Sequence, residues 1–310
     1  MSAARLIALV GPTASGKTSR GVDLARAFGG EILSADSRQI YRGMDIGTGK
    51  DLEEYGTDVP YHLIDITPAG YKYNLYEYLR DFKTAYDDVC SRGNLPVVVG
   101  GTGLYVESVL KGLRLPEVPE NSSLRESLAG RTLEELTEVL AAMKTLHNTT
   151  DVDTAQRAVR AIEIETYYRE HPDKAMMAEP SPLDRVVLVG VDIPRDDRRK
   201  RISERLRSRL GAGMVEEVDA LLNSGIEPDD LIYYGLEYKF ITLYLTGVMS
   251  RERMVAELEI AIHQFAKRQM TWFRGMERRG FRIEWLPYDM PADEFVGRVR
   301  QMMEQGIYCR

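Results

Sequence analysis

The sequence predicts an α/β fold, with a parallel sheet that carries helices on both faces and a small helical insertion. In the first 112 residues, short β-branched apolar segments alternate with segments of helical periodicity. Apolar strands joined by helices are typical of a parallel sheet that is buried on both sides. The alternation stops between residues 116 and 182, where helical periodicity lies between proline-containing joints, and an apolar segment resumes at Val186.

The predicted elements follow the chain in a simple order. Strands are expected at residues 6–10, 31–35, 62–66, 96–100, 186–193 and 282–286, with helices at 16–28 and 73–92 between the early strands. Residues 196–269 favour long helices broken at Gly211, Gly213, Gly225 and Gly235. We therefore expect residues 1–115 and 184–310 to form the α/β core with C-terminal helices, and residues 116–183 to form the insertion.

Composition excludes several classes of protein. The 310 residues are 44% hydrophobic and 29% charged, as in folded globular proteins. Apolar runs are too short for a membrane span, and the N-terminal run favours a buried strand over a signal peptide. Two cysteines far apart and four unclustered histidines show no metal-ligand spacing. A reduced, cytoplasmic protein is expected, and we expect a monomer.

Charge is unevenly distributed along the chain. The net charge of −7 argues against binding of nucleic acid, yet residues 195–209 hold eight basic side chains against three acidic ones. A second basic group lies within residues 267–282. Such groups are usually solvated helix faces, so they become informative only if a polyanionic partner is indicated by other residues.

A phosphate-binding loop follows the first predicted strand. The pattern G-x-x-x-x-G-K-[ST] is matched at every fixed position, between a strand and a helix, by Gly11, Pro12, Thr13, Ala14, Ser15, Gly16, Lys17 and Thr18. Backbone N–H groups and the helix N-terminus favour phosphate oxygens, Lys17 adds a full charge, and the Thr18 hydroxyl is suited to Mg²⁺. The predicted core is therefore P-loop NTPase-like, with a phosphate ligand but no specified chemistry.

Two further loops are expected beside the P-loop. Asp36 follows the second strand, and the glycine-rich segment Gly100-Gly101-Thr102-Gly103 follows the fourth; the carboxyl ends of parallel strands line the ligand crevice of such a sheet. Asp36 is either a helix N-cap, a general base or an indirect magnesium contact. The glycines either form a tight turn into a helix or let the backbone approach a ligand.

Together these segments resemble the tRNA dimethylallyltransferases (isopentenyltransferases). The resemblance covers about residues 6–275 and comprises the P-loop and five further motifs in order: residues 34–42, 61–65, 100–105, 156–163 and 266–274. The match is weaker at 234–239, and His263 stands where most family members have arginine. The family transfers a dimethylallyl group from dimethylallyl diphosphate to N6 of the adenine 3′ of the tRNA anticodon.

The resemblance implies roles for individual residues. Lys17, Thr18 and Mg²⁺ would neutralise the diphosphate leaving group, Arg205 would reach the same diphosphate, and Asp36 would be the general base toward N6. Thr102 would contact the substrate at the catalytic centre. The implied tRNA contacts are Asp36, Ser37, Arg38, Gln39, Thr102, Gln156, Arg157, Ala158, Val159 and Arg160. The insertion would then contact the anticodon arm.

Two other classes of function compete with this interpretation. A small-molecule P-loop kinase would use the same loop for ATP, although the sequence has no arginine-rich lid or adenine-pocket motif. A non-catalytic RNA-binding protein that retains a nucleotide loop would not need Asp36 for its function.

Overall fold

The computed structural model describes residues 6–146, 152–177 and 183–309. Within these ranges, none of the helices combines the length and apolar character needed to cross a membrane. Contacts divide the chain into two units, one of Met1–Lys111 with Pro182–Arg310 and the other of Gly112–Ser181. These bounds differ by two to four residues from those expected for the core and the insertion; the proline joint at 180–182 lies outside the described residues.

A parallel sheet forms the centre of the first unit. In the described part of the chain its strands are ordered β4-β2-β6-β1-β7-β8, and the short β3 and β5 pair separately. The P-loop strand β1 lies between β6 and β7, with Ala8 opposite both Val98 and Leu188. The strands are β1 Leu6–Val10, β2 Gly30–Ser34, β3 Tyr41–Arg42, β4 Tyr61–His62, β5 Thr67–Pro68, β6 Leu95–Gly100, β7 Val186–Asp192 and β8 Glu284–Pro287.

Five of the six predicted strands lie within two residues of their expected bounds, but the prediction for 62–66 is wrong. Only Tyr61 and His62 pair with β2. Leu63 and Asp65 adopt φ values of 65° and 56°, a left-handed conformation that cannot continue a strand. The apolar pattern there reflects burial of Leu63 and Ile64 in a turn.

Helices cover both faces of the sheet. Along β1, Ile7 and Leu9 pack on the side of α1 and α13, whereas Leu6, Ala8 and Val10 pack on the opposite side, as the two-residue period of a strand requires. The helices of this unit are α1 Lys17–Phe28, α2 Leu75–Ser91, α3 Gly103–Leu110, α8 Arg195–Gly211, α9 Met214–Asn223, α10 Pro228–Tyr233, α11 Leu236–Leu245, α12 Arg251–Arg278 and α13 Ala292–Gln305.

The breaks between the C-terminal helices follow the predicted glycines, with one addition. Gly213, Gly225 and Gly235 have φ values of 100°, 93° and 147° between successive helices. A further break separates α11 from α12, where Gly247 has a φ of 78°, and this break was not expected. Helix α13 also lies beyond the segment for which helices were predicted.

The second unit is a helical bundle with its own core. Its helices are α4 Ser122–Leu128, α5 Leu133–Met143, α6 Ala155–Glu170 and α7 Pro172–Met177. Asn121, Thr132 and Thr154 cap the first three through their side chains. Leu136, Leu140, Ala158 and neighbouring apolar side chains are buried together, so this segment has its own hydrophobic cluster.

Candidate active site

A cavity of about 510 Å³ lies at the carboxyl ends of three neighbouring strands. The loops after β1, β2 and β6 form one wall, and side chains from α8, α11 and α12 form the other. Among the predicted site residues, the lining includes Thr13, Lys17, Thr18, Asp36, Ser37, Arg38, Gln39, Thr102 and Arg205. Segments that lie far apart in sequence therefore meet at the edge where an open parallel sheet binds ligands.

The P-loop curves around the N-terminus of α1. Ala14 and Gly16 have φ values of 64° and 83°, and Gly16 is the N-cap residue before Lys17 begins the helix. Lys17 and Thr18 also line a second cavity of about 280 Å³, which contains Ala14 and Gly16 as well. The loop therefore offers its lysine, hydroxyl and helix N-terminus to ligands on two sides.

Positive charge is concentrated and desolvated beside this loop. Burial, assisted by the charge of Arg205, lowers the pKa of Lys17 to about 8 against the opposing effect of Asp36. Burial and the neighbouring Arg209 lower the pKa of Arg205 to about 10. Arg205 donates a hydrogen bond to the Thr13 hydroxyl of the P-loop. The charged forms of Lys17 and Arg205 are therefore disfavoured in the free protein, and a bound polyanion would stabilise them.

Asp36 belongs to a turn that joins the second and third loops. Its Oδ1 accepts a hydrogen bond of 2.9 Å from the backbone N–H of Arg38, and the next residue, Ser37, donates its N–H to Thr102 Oγ1 at 3.0 Å. The helix N-cap alternative for Asp36 is wrong, because residues 37–40 form a turn and the chain then enters β3. Thr102 stands at the N-cap position of α3, but its hydroxyl makes no capping bond.

Gln39 has a structural role within the lining. Its Nε2 donates to the carbonyl of Gly49 at 2.9 Å, and its Oε1 accepts from Ser34 Oγ at 3.2 Å. The loop that contains Gly49 is also held by Glu217, whose carboxylate accepts the N–H groups of Asp45, Ile46 and Gly47. Gln39 therefore fixes the cavity wall, with little hydrogen-bonding capacity left for a substrate.

Gln269 connects two of the loops and was not among the predicted site residues. The buried amide accepts from the backbone N–H of Thr13 at 2.7 Å and donates to the carbonyl of Gly101 at 2.9 Å. A Cβ at Gly101 would lie 2.5 Å from Gln269 Nε2, so the glycine permits this contact. The signal was present in the 266–274 motif, although the sequence did not reveal which of its residues point inward.

An apolar surface at one side of the cavity was also missed. It comprises Leu104, Phe265 and Trp272, each of them more than a third exposed. Trp272 packs over Gly103, where a Cβ would approach its ring to 2.3 Å. A cavity lined by both cations and apolar side chains suits an amphiphilic ligand.

The other implied tRNA contacts lie on α6 of the second unit. Arg157 pairs with Asp153, and Arg160 bonds to Glu163 and the carbonyl of Val118. The Ala158 side chain is wholly buried. Its predicted contact with tRNA therefore needs correction, because the side chain packs in the core of this unit.

His263 does not line the main cavity. Its Nε2 lies 3.7 Å from Glu259 Oε1 on the same helix, and burial lowers the pKa of His263 below its usual value, which favours the neutral form.

In the described part of the chain, no group of three or more histidine, cysteine or acidic side chains is arranged to hold a metal ion.

Sequence comparison identifies the relatives of this chain. Residues 39–276 match the IPP transferase family, and residues 4–58 match a family described as isopentenyl transferase. The tRNA dimethylallyltransferase 2 of Bacteroides fragilis is 59% identical over 303 residues, which are 97% of this chain and 98% of that protein. The tRNA dimethylallyltransferase 1 of Porphyromonas gingivalis is 60% identical over 292 residues, 93% and 96% of the two chains.

Solved structures share the fold. The tRNA isopentenylpyrophosphate transferase of Bacillus halodurans has a TM-score of 0.71 at 29% identity, covering 97% of this chain and 96% of its own. A eukaryotic dimethylallyltransferase acting on tRNA has a TM-score of 0.77 at 20% identity, covering 96% and 77%. The second likeness is one of fold alone.

Proposed function

The chain belongs to the IPP transferase family, and from this premise we propose that it transfers a dimethylallyl group from dimethylallyl diphosphate to N6 of the adenine 3′ of the tRNA anticodon. One observation carries the assignment to this cavity: Lys17 and Arg205, which suit a diphosphate, share its lining with Asp36, which suits an amine nucleophile. The relatives named above are tRNA-modifying transferases, which supports tRNA as the substrate.

The leaving group would bind at the P-loop. As the allylic C–O bond breaks, negative charge grows on the diphosphate, and Lys17, Arg205 and the α1 N-terminus stabilise it. Because these groups are already desolvated and held in place, they need little rearrangement during the reaction.

Thr18 provides a hard oxygen ligand in the same lining. Mg²⁺ typically combines few protein ligands with substrate phosphates and water, so this sparse donor set fits the ion. We propose that Thr18 holds Mg²⁺ together with the diphosphate, and that the ion when bound supplies further charge neutralisation.

Asp36 would accept the proton that the nucleophile must lose. The lone pair of the adenine amino group is delocalised into the ring, which makes it a poor nucleophile. As the N6–C bond forms and the allylic C–O bond breaks, one N6 proton passes to the Asp36 carboxylate and diphosphate departs. The hydrogen bond from Arg38 N fixes the carboxylate for this transfer.

The target adenine must leave the base stack to reach this cavity. Extrusion of a base costs a few kcal/mol, which contacts elsewhere on the RNA must offset. Arg38 and the backbone of Ser37 lie at the cavity, and Arg157 on α6 is exposed. We propose that these segments, with Thr102, Gln156, Val159 and Arg160, contact the anticodon arm.

The decisive experiment supplies labelled dimethylallyl diphosphate, Mg²⁺ and unmodified tRNA that carries the target adenine. We expect label in N6-modified adenosine, and none when that adenine is replaced by guanine. ATP-dependent phosphorylation of a metabolite without any prenyl transfer would instead establish the kinase alternative. Binding of tRNA with neither reaction would favour the non-catalytic alternative.

A further inference from the structure

Tyr233 presents an exposed ring next to the cavity. It is the last residue of α10 and 51% exposed, and the next two residues, Tyr234 and Gly235, line the cavity. Tyr234 is wholly buried, its hydroxyl donates to the carbonyl of Tyr71 at 2.9 Å, and its ring packs on Tyr41. The backbone is therefore anchored directly beside an aromatic side chain that faces solvent.

Arg38 completes this surface, and we call the pair Tyr233 and Arg38 the rim platform. The Arg38 guanidinium carbon lies 5.7 Å from the centre of the Tyr233 ring, and its Nε lies 3.7 Å from the position that a Cβ on Gly235 would occupy. Among the described residues, Arg38 forms no ion pair. Its backbone N–H bonds to Asp36, so the platform is tied to the predicted general base.

The chemistry of the rim platform fits one part of an RNA. Unpaired bases stack on aromatic rings and guanidinium planes, and an unpaired cation attracts the adjoining phosphate. When the target adenine is extruded, each neighbouring base loses a stacking partner, and an exposed ring at the cavity rim can replace it. An apolar prenyl chain would gain nothing from the cation.

We propose that Tyr233 stacks on an anticodon-loop base beside the extruded adenine while Arg38 faces the phosphate backbone. This rests on the proposed function, because it requires a single-stranded RNA loop with its target base in the cavity. Tyr233 would be a positioning residue that stabilises the opened loop and takes no part in the bond changes.

The test measures binding of an unmodified anticodon stem-loop RNA to wild type, Tyr233→Ala and Tyr233→Phe. Loss of one base stack weakens binding by roughly tenfold, so we expect that loss for alanine and near wild-type binding for phenylalanine. Affinity for dimethylallyl diphosphate should stay unchanged in both. Tyr61→Ala, which removes an exposed tyrosine ring outside the cavity lining, is the control and should bind RNA as wild type does.

A set of stem-loops, each with one abasic nucleotide in the loop, then identifies the stacked base. For the abasic RNA that lacks the stacked base, which flanks the target, wild type and Tyr233→Ala should bind with equal affinity, because the stacking partner is already absent. An equal loss for every abasic RNA, or unchanged binding by Tyr233→Ala, would overturn the inference while wild-type transfer remained intact. Absence of transfer by the wild type would count against the proposed function itself.

Discussion

Asp36 uses its two carboxylate oxygens differently, and a substitution can separate their roles. Oδ1 holds the turn by accepting from Arg38 N at 2.9 Å, which leaves the charge of the carboxylate for a substrate proton. Asp36→Asn retains an oxygen for the turn but removes the base, so we expect turnover to fall by roughly 10²–10⁴-fold with nearly unchanged tRNA affinity. Single-turnover transfer and RNA binding measure the two quantities; turnover within a few fold of wild type would remove Asp36 from this role.

Lys17 should make diphosphate binding dependent on pH. Its pKa is lowered to about 8, chiefly by burial, so the free protein loses this charge as the pH rises through 8. Because a bound anion favours the protonated lysine, affinity should be fully present below pH 8 and decline above it. Calorimetric titration with dimethylallyl diphosphate between pH 7 and 9.5 measures the slope.

The matched variant for this experiment is Lys17→Met, which keeps much of the side-chain length without the charge. It should bind dimethylallyl diphosphate more weakly and lose the additional decline that begins near pH 8, leaving the slope from ionisation of the ligand and, toward pH 9.5, of Arg205. Identical slopes for wild type and variant would contradict the assignment.

At the scale of elements, Gln269 makes α12 part of the phosphate site. Its amide joins the P-loop to the loop after β6, and Gln269→Leu would leave the half-buried N–H of Thr13 and the buried carbonyl of Gly101 without this partner. A fully buried group without a partner costs about 1–3 kcal/mol, so we expect a raised KM for dimethylallyl diphosphate and a lower melting temperature. Steady-state kinetics and thermal unfolding measure these two effects.

Gly101→Ala offers an independent check, because its Cβ would displace the same amide. The double variant should be scarcely worse than either single one, since both remove one bridge. Additive losses would mean that the two residues act separately.

The elements differ in how readily the sequence reveals them. Strands β1, β6 and β7 are buried on both faces, so each is a continuous apolar run bounded by polar or glycine residues. The 62–66 prediction was wrong because apolar residues in a buried turn give the same signal until backbone angles are known. The helix breaks at Gly213, Gly225 and Gly235 were predicted, whereas the break at Gly247, in the short connection between α11 and α12, was not.

At the scale of the whole molecule, the sequence predicts which loops form the site but not which distant residues contact those loops. Lys17, Asp36 and Thr102 follow predicted strands, so their convergence follows from the rule for parallel sheets. The contact between Thr13 and Gln269 spans 256 residues, and no local pattern identifies it. Arg205 was named through resemblance alone, since within an arginine-rich helix the sequence does not show which side chain is buried.

Glu31 links several elements of the sheet, so it should affect the stability of the whole fold. This buried carboxylate bonds to Arg92 after α2, to Asn94 before β6 and to His62 on the edge strand β4. The Arg92 hydrogen bonds contribute most to lowering its pKa from 4.5 to about 2, with Asn94 and His62 adding to the effect against desolvation. Stabilisation from its charge is therefore fully present above pH 4.5 and is lost as the pH falls toward 2.

A shift of this size corresponds to stabilisation on the order of 3 kcal/mol at neutral pH. We expect Glu31→Gln to lower the free energy of unfolding most at pH 6–7, with the difference from wild type shrinking below pH 4.5. Urea unfolding of both proteins across this range measures the difference, and Glu53→Gln, which changes a carboxylate outside this network, is the control. A difference that stays constant with pH would show that the variant acts through packing, because loss of a titrating carboxylate must leave a pH-dependent difference.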